Sequence, residues 1–208
     1  MRDLIVTENI TLDGVIEATE GWFGPAGDEN VDQSDVEAAV RKQREAADAF
    51  LVGRVTFEQM RGYWPQQTDD ATGITEYLNS VSKYVVSRTM QDPGWEATTV
   101  LRGELLDEIQ ALKSRPGRDI VTTGSITLVG DLIAAGLVDE YRLFVYPVVL
   151  GHGRRLFTNA TGLPRLRLVE TLPFRSGTVL LRVRRLHLRL SSRAHRSLRD
   201  AHWRQHAC

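Results

Sequence analysis

The chain has 208 residues, a length that suits one domain with a substantial core. Hydrophobic residues make up 42% and charged residues 25%, the proportions of a globular protein, and no apolar run approaches the length of a membrane span. The one cysteine, Cys208, is the last residue, which excludes an internal disulfide and a cysteine-based metal site. We therefore expect a cytoplasmic protein without a bound metal.

The formal net charge of −1 conceals a basic carboxyl-terminal tail. Residues 182–208 contain eight arginines and one acid, Asp200, so this segment has a charge of +7 and the rest of the chain −8. Such a tail can bind nucleic acid, but it contains little apolar periodicity and no recognisable motif. We expect residues 1–185 to form the domain and residues 186–208 to be a basic, disordered extension.

Strand and helix patterns alternate along the first two thirds of the chain. The patterns predict, in order, a strand at residues 4–6, a helix at 31–48, a buried strand at 49–53, helices at 55–64 and 75–81, and strands at 82–89 and 97–101. The turn signal Asp13-Gly14 lies after the first of these strands.

The remaining patterns are richer in strands. They predict a helix at 103–114, a buried strand at 118–124, a helix at 125–136 that ends at Gly136, a long strand at 138–151, and a hairpin at 165–185 around Ser176-Gly177. Alternating strands and helices followed by a β-rich end are typical of an α/β domain with a mostly parallel central sheet and an antiparallel C-terminal hairpin. Ligands of such sheets bind beyond the carboxyl ends of the strands.

Glycines, hydroxyls and two arginines follow the predicted strands. Glycine permits close backbone approach, free helix N–H groups attract anions, and arginine pairs with phosphate oxygens. Each residue alone could instead form a turn, cap a helix or lie on the surface, so their joint placement is what favours a phosphate-binding site. The usual dinucleotide fingerprint and the P-loop motif are absent. The residues are Thr11, Asp13, Gly14, Gly53, Arg54, Thr56, Ser87, Arg88, Thr123, Gly124 and Ser125.

Four segments, in this order, resemble the dihydrofolate-reductase-like family: ITLDGVI, LVGRVTFEQMRGYW, YVVSRT and TTGSITLVGDLIAAGLVDEYRLFVYPVVLGHGRRLF. Within that family they are most similar to the reductase domain of bacterial riboflavin biosynthesis and its stand-alone relatives. The resemblance spans residues 2–185, and its most specific parts are G-R-x-T-[FY]-E and L-V-D-E followed by P-x-x-L-G-x-G. It implies a three-layer fold and an NADPH-dependent reductase.

The resemblance also implies roles for the residues at the strand ends. Residues matching Gly53, Arg54 and Thr56 bind the cofactor phosphates, and those matching Ser87 and Arg88 lie by the adenosine 2′-phosphate. The loop matching Gly124, Ser125 and Ile126 approaches the pyrophosphate, and the segment matching residues 10–14, with Thr11 and Gly14, borders the nicotinamide. Arg54 and Arg88 would then select NADPH over NADH.

For the substrate, we expect aromatic side chains that can stack on a flat heterocycle, with core packing as their alternative role. Asp13 is the candidate catalytic residue, with a turn role as its alternative. Arg154 and Arg155 are candidates for contacting a phosphorylated substrate or a neighbouring subunit. The pterin-binding acid of true dihydrofolate reductases has three candidate counterparts: Asp28, Asp32 and Asp35. The aromatic candidates are Trp22, Phe23, Tyr63, Trp64 and Tyr146.

Three functions follow from the sequence, in descending rank. The first is an NADPH-dependent reductase of a small pterin- or pyrimidine-like heterocycle. The second is an NADPH-binding module without turnover, since no unmistakable proton donor is present. The third is nucleic-acid binding through the tail. The apolar alternation at residues 141–149 and the final hairpin favour a homodimer, and nothing favours a membrane partner.

Overall fold

The computed structural model describes residues 1–19, 21–23, 31–68, 70, 72–158 and 165–186. These residues form eight strands and five α-helices. In chain order they are β1 Leu4–Thr11, α1 Ser34–Glu45, β2 Ala47–Gly53, α2 Arg54–Tyr63, α3 Ile74–Ser80, β3 Ser82–Val86, β4 Thr98–Leu101, α4 Leu105–Ser114, β5 Asp119–Thr122, α5 Ile126–Ala134, β6 Glu140–Tyr146, β7 Leu166–Pro173 and β8 Val179–Arg185.

The strands form one sheet in the order β4-β3-β2-β5-β1-β6-β8-β7. Strands β1 to β6 run parallel to one another, and β8 runs antiparallel to both β6 and β7. The predicted α/β class, with a mostly parallel sheet and an antiparallel C-terminal hairpin, is therefore confirmed. The carboxyl ends of β1, β2, β3 and β5 lie along one edge, where ligands of parallel sheets bind.

Helices cover both faces of the sheet and produce the three layers. The apolar sides of α4 and α5, including Ile109 and Leu132, pack with Leu4 and Val6 of β1 in the larger core. On the other face, Phe57 of α2 and Leu78 of α3 pack against β2 and β3. Helix α1 also lies on this second face but has no fully buried residue, which leaves space between it and the sheet.

Several element boundaries differ from the sequence prediction, among them those of β1, α1 and β6. Strand β1 continues to Thr11 because pairing with β6 compensates for its polar second half. Helix α1 ends at Glu45, and the next residues join β2 through an irregular pairing with β5. Strand β6 ends at Tyr146 because Pro147 has no N–H to donate to a neighbouring strand.

Strands β1 and β5 separate halfway along β1. Their pairing ends at Val6 and Thr122, whereas β1 and β6 stay paired as far as Thr11 and Tyr146. The second half of β1 therefore has one neighbour instead of two. We call this opening the β1–β5 split, and it joins the helix-covered space on the α1 side to the edge of the sheet.

No helix among the described residues is both long enough and apolar enough to cross a lipid bilayer.

Candidate functional site

The loop after β5 contacts the beginning of α2 at the carboxyl edge of the sheet. The Gly53 N–H donates to Ser125 Oγ over 2.9 Å. A Cβ added to Gly124, whose φ is +62°, would lie 3.5 Å from Thr56 Cγ2. The sequence predicted Gly53, Thr56, Gly124 and Ser125 at one site from separate strand ends, and the structure brings these four residues together. We call this group the cradle.

Helices α2 and α5 both begin at the cradle with free N–H groups. Neither helix has a side-chain cap or an acidic residue in its first turn. Helices α1 and α4, by contrast, each have two acids there. Ile126 is the first residue of α5, and its side chain packs partly against the larger core. The uncompensated helix dipoles make the cradle suited to an anion.

The two predicted phosphate-binding arginines lie at the same edge, on neighbouring strands. Gly53 of β2 pairs with Val86 of β3, so Arg54 and Ser87 leave the sheet at the same level. Arg54 pairs with Glu58 at 2.9 Å, and Arg88 pairs with Glu104 at 2.6 Å. Because all four side chains are at least one third exposed, these pairs contribute little stability and can exchange for another anion.

Ser87 shapes the loop that presents Arg88. Its side chain is buried, and its Oγ accepts the N–H of Met90 at 3.0 Å and that of Thr89 at 3.3 Å. The Ser87 hydroxyl is therefore engaged with its own loop.

A cavity of about 640 Å³ lies between the sheet and helices α1, α2 and α3. Trp22, Phe23 and Trp64, predicted to contact a substrate, line it together with Gly124 of the cradle. The other two predicted aromatics do not line the cavity but contact aromatic residues that do. Tyr63 is 55% exposed and contacts Trp64, with ring centroids 5.0 Å apart. Tyr146 contacts Trp22 at 5.6 Å.

Two residues of α1 that line the cavity each have one nitrogen donor without a partner among the described residues. These donors are Gln43 Nε2 and Arg44 Nη1, both buried. Thr7 Oγ1 donates to Gln43 Oε1 over 3.3 Å, and Arg44 Nη2 donates to the Thr72 carbonyl over 2.8 Å. Unpaired buried donors cost about 1–3 kcal/mol each, so both atoms are suited to acceptor atoms of a ligand. No motif in the sequence distinguishes either residue.

Glu8 is a carboxyl group in the cavity wall that the sequence interpretation missed. It is 5% exposed and lines the cavity at the β1–β5 split. Burial raises the pKa of Glu8 to about 8, although a hydrogen bond from the Gly124 N–H lowers it. An acid within the otherwise apolar or neutral strand LIVTENIT was the available signal.

Asp13, the candidate catalytic residue of the sequence, is held in a loop network. The hydrogen bond from the Thr11 hydroxyl, at 2.7 Å, and that from the Gly151 N–H, at 2.9 Å, hold the pKa of Asp13 far below its usual range. The Thr11 hydroxyl also accepts the Val15 N–H, and Gly14 takes a φ of +86° in the turn. Asp13 is therefore an ionised anchor of this loop and is not among the residues that line the cavity.

The two arginines of the loop after β6 bind the same segment. Arg155 pairs with Asp13 at 3.3 Å, and Arg154 pairs with Glu17 at 2.8 Å. These contacts, with an isolated bridge between Val15 and Arg155, attach the loop after β1 to the loop after β6. They do not place either guanidinium at the cavity.

The candidate pterin-binding acids at the start of α1 also lie away from the cavity. Asp32 and Asp35 both pair with Arg175, on the turn between β7 and β8. Asp28 lies outside the described residues. Across the part of the chain that the structure describes, no group of three or more acids, histidines or cysteines could hold a metal ion.

Residues 2–180 match the family model described as the RibD C-terminal domain. The chain is 34% identical over 180 residues to the uncharacterized protein YyaP of Bacillus subtilis, covering 86% of this chain and 92% of that protein.

Solved structures share the fold. One is the diaminohydroxyphosphoribosylaminopyrimidine deaminase/5-amino-6-(5-phosphoribosylamino)uracil reductase of Thermotoga maritima, with a TM-score of 0.59, 16% identity, and coverage of 89% of this chain and 57% of that one. Another is dihydrofolate reductase of Enterococcus faecalis complexed with NADP(H), with a TM-score of 0.56, 16% identity, and coverage of 89% and 97%. With the family model matching nearly the whole described domain, this chain belongs to the RibD C-terminal domain family, whose fold is that of dihydrofolate reductase.

Proposed function

We propose that the protein is an NADPH-dependent reductase that transfers a hydride to a small pterin- or pyrimidine-like heterocycle. The observation that supports this most strongly is the contact between a cradle suited to phosphate and a largely apolar cavity suited to a flat ring, through Gly124 and the β1–β5 split. Both features belong to one edge of the sheet. The reductases among the proteins of this fold support the same reaction class.

The residues of the cradle fit the phosphates of NADPH. Two uncapped helices without acids in their first turns would face the pyrophosphate, and Thr56 and Ser125 add hydroxyl groups. Arg54 and Arg88 would exchange their exposed glutamate partners for the 2′-phosphate, while the buried Ser87 shapes the Arg88 loop. Bound NADPH would supply the hydride.

The loop after β1 would border the nicotinamide. Thr11 and Gly14 set its turn, and Asp13 fixes it to the loop after β6. We assign Asp13 the role of holding this loop in place, so that the dihydronicotinamide and the substrate meet at the split with little water between them.

The cavity would bind the substrate between aromatic side chains and two nitrogen donors. Trp22, Phe23 and Trp64 offer stacking surfaces. Gln43 Nε2 and Arg44 Nη1 would donate to carbonyl or ring-nitrogen acceptors, because both lack partners in the described structure. Tyr63 and Tyr146 would act indirectly, by supporting Trp64 and Trp22.

The cofactor assignment is tested by thermal unfolding with NADPH or NADH. Ligand at one hundred times its Kd stabilises a protein by about 2.7 kcal/mol, which raises the Tm of a domain of this size by roughly 5–10 °C. We expect this shift with NADPH and a much smaller one with NADH. The double variant Arg54→Ala/Arg88→Ala should remove the difference.

Equal shifts from both cofactors would contradict the roles of the two arginines. If neither cofactor shifts the Tm, the reductase proposal is contradicted. A shift without NADPH oxidation, tested across pterins, flavin precursors and carbonyl compounds, would favour the binding module without turnover.

We also propose a cytoplasmic homodimer formed through the β7–β8 hairpin. Leu166 and Leu168 are exposed on β7, and Val183 of β8, which pairs with Leu168, is half-buried. β7 is the last strand of the sheet, so its outer N–H and C=O groups are unpaired within the described chain. Apolar side chains and a free strand edge on one hairpin are suited to a second copy.

A further inference from the structure

Glu8 lies where the cavity meets the cradle. It belongs to the half of β1 that has lost β5 as a neighbour, and it pairs with Leu143 of β6 on its other side. Glu8 is one of the residues that line the cavity, and its carboxyl accepts a hydrogen bond from the N–H of Gly124, a cradle residue. A substrate in the cavity and a cofactor on the cradle would both be adjacent to Glu8.

One oxygen of this carboxyl makes no hydrogen bond to the described residues. Oε1 is buried and has no hydrogen-bond partner among the described residues. An ionised carboxylate in this environment would have one N–H donor and no cationic partner in the described structure, which is costly. Burial accordingly raises the pKa of Glu8 to about 8, so the group is mostly a neutral acid at pH 7.

The groups that surround Glu8 leave this acid neutral. Leu143 pairs with it on β6, and Gly124 contacts it from the loop before α5. Arg44 on α1 and Tyr77 on α3 are the other titratable side chains that line the cavity. Arg44 donates to the Thr72 carbonyl, and its guanidinium lies 5.9 Å from the Tyr77 ring centre, while burial raises the pKa of Tyr77 to about 12.

We propose that Glu8 is the proton donor of the reduction, an inference that rests on the proposed function. The substrate carbon of a C=N or C=O bond gains a C–H bond from the hydride that NADPH supplies. The π electron pair moves to the adjacent nitrogen or oxygen, which takes the proton from the Glu8 carboxyl group. Glu8 is left as a carboxylate and regains its proton from water, and NADP⁺ and the reduced substrate leave.

The other acids considered for this site that the structure describes cannot replace Glu8. Asp13 is ionised and fixed by its Thr11 and Gly151 hydrogen bonds. Asp32 and Asp35 pair with Arg175, and that arginine lowers the pKa of Asp35. None of the three lines the cavity. An ionised carboxylate has no proton to donate, whereas a general acid acts best when its pKa lies near the working pH.

The first test does not depend on turnover. Infrared difference spectra between wild type and Glu8→Gln should contain a protonated-carboxyl band that disappears with a midpoint near pH 8. The matched control is Asp119→Asn, which removes an acid whose pKa is also raised by burial but which lies outside the cavity. Absence of the Glu8 band at pH 7 would overturn the proposal.

The pH dependence of the free energy of unfolding also tests whether Glu8 is neutral, and its direction is fixed by the raised pKa. A carboxyl with a raised folded-state pKa binds more protons in the folded than in the unfolded state between pH 4.5 and about 8. Its contribution to stability is therefore complete below pH 4.5 and decreases as the pH rises to 8. Urea unfolding should show Glu8→Gln gaining stability relative to wild type between pH 5 and pH 8. If the stability difference between Glu8→Gln and wild type is the same at pH 5 and pH 8, Glu8 is not a neutral acid in the folded protein.

The second test measures NADPH oxidation with the panel of pterins, flavin precursors and carbonyl compounds. Loss of a general acid typically lowers kcat by about 10²- to 10⁴-fold. We expect that loss in Glu8→Gln, with an NADPH-induced Tm shift equal to that of wild type and with kcat no longer falling at alkaline pH. Asp119→Asn should stay within a few-fold of wild type.

The outcomes separate the two proposals. If wild type oxidises NADPH with a panel compound and Glu8→Gln retains that rate, the donor role is overturned and the reductase remains. If wild type reduces no panel compound, the reductase proposal is contradicted and the donor role with it, even when the infrared band is present.

Discussion

At the scale of single residues, Glu140 of β6 is the centre of a buried network of charges. It is 2% exposed and accepts hydrogen bonds from Arg142 at 2.7 Å and from Arg182 at 2.9 Å. Burial tends to raise the pKa of Glu140, but the hydrogen bonds and positive charges of these two arginines outweigh it and hold the pKa below its usual value. The network joins β6 to β8, and so attaches the C-terminal hairpin to the parallel sheet.

Replacing Glu140 with alanine should leave two largely buried guanidinium groups without their shared acceptor. We expect a loss of about 3–5 kcal/mol in the free energy of unfolding, measured by urea titration. Glu170→Ala, which removes a more exposed partner of Arg182, should cost about 1 kcal/mol or less. Similar losses in the two variants would show that burial does not determine the strength of this network.

The lowered pKa also predicts a pH dependence for the same residue. The stability that Glu140 provides is present above its unfolded-state pKa of about 4.5 and is lost as the pH falls through its lower folded-state pKa. The difference between wild type and Glu140→Ala should therefore shrink under acid conditions.

At the scale of secondary-structure elements, helices α2 and α5 differ from α1 and α4 in their first turns. The two that begin at the cradle lack acids there, while α1, α3 and α4, which begin elsewhere, each have at least one. Acids in the first turn of a helix stabilise it by about 0.3–1 kcal/mol. Helices α2 and α5 forgo that stabilisation, which is physically reasonable if an anion compensates their dipoles in the functional state.

The substitution Val55→Glu places an acid in the first turn of α2 at a position that is 57% exposed. We expect the free protein to melt about 1–3 °C higher, because the new charge complements the helix dipole. NADPH should bind roughly 5- to 30-fold more weakly, the factor for about 1–2 kcal/mol of repulsion from its phosphates.

Val55→Gln, of the same shape but uncharged, is the control for both measurements and should change neither appreciably. Calorimetric unfolding and fluorescence titration with NADPH provide the two values. Undiminished NADPH affinity in Val55→Glu would argue against phosphates at the start of α2.

At the scale of the whole molecule, the β7–β8 hairpin extends the sheet to a free edge with apolar side chains. Its outer strand β7 is largely exposed over its whole length. A long exposed edge strand favours pairing with another chain. The proposed homodimer would cover this edge on the side of the sheet away from β4.

Sedimentation velocity tests the assembly directly. Wild type should sediment with twice the 23.4 kDa chain mass, and Leu166→Lys/Leu168→Lys should sediment as a monomer, because two buried ammonium groups would oppose association. Leu106→Lys, at an exposed position of α4, should remain dimeric. A monomeric wild type at micromolar concentration would exclude the dimer.

Much of the fold was predictable because its signals are local. The buried strand at residues 49–53, the α5 helix ending before Gly136 and the hairpin around Ser176-Gly177 each depend on neighbours within about ten residues. The ends of β1 and β6 were less predictable. The first is extended by pairing with a distant strand, and the second is shortened by Pro147.

By itself, the sequence determined the α/β class, the family, and the meeting of glycines, hydroxyls and arginines at one sheet edge. These follow from periodicity, short motifs and the rule that parallel strands present their carboxyl ends together. Only the tertiary structure decided which acid faces the cavity. Asp13 lies in a conspicuous turn motif, yet hydrogen bonds from the Thr11 hydroxyl and from the distant loop after β6 lower its pKa and keep it ionised. Glu8 is inconspicuous in β1, and its burial in the folded protein raises its pKa and keeps it neutral. A pKa depends on burial and on partners distant in sequence, and neither is encoded in a local pattern.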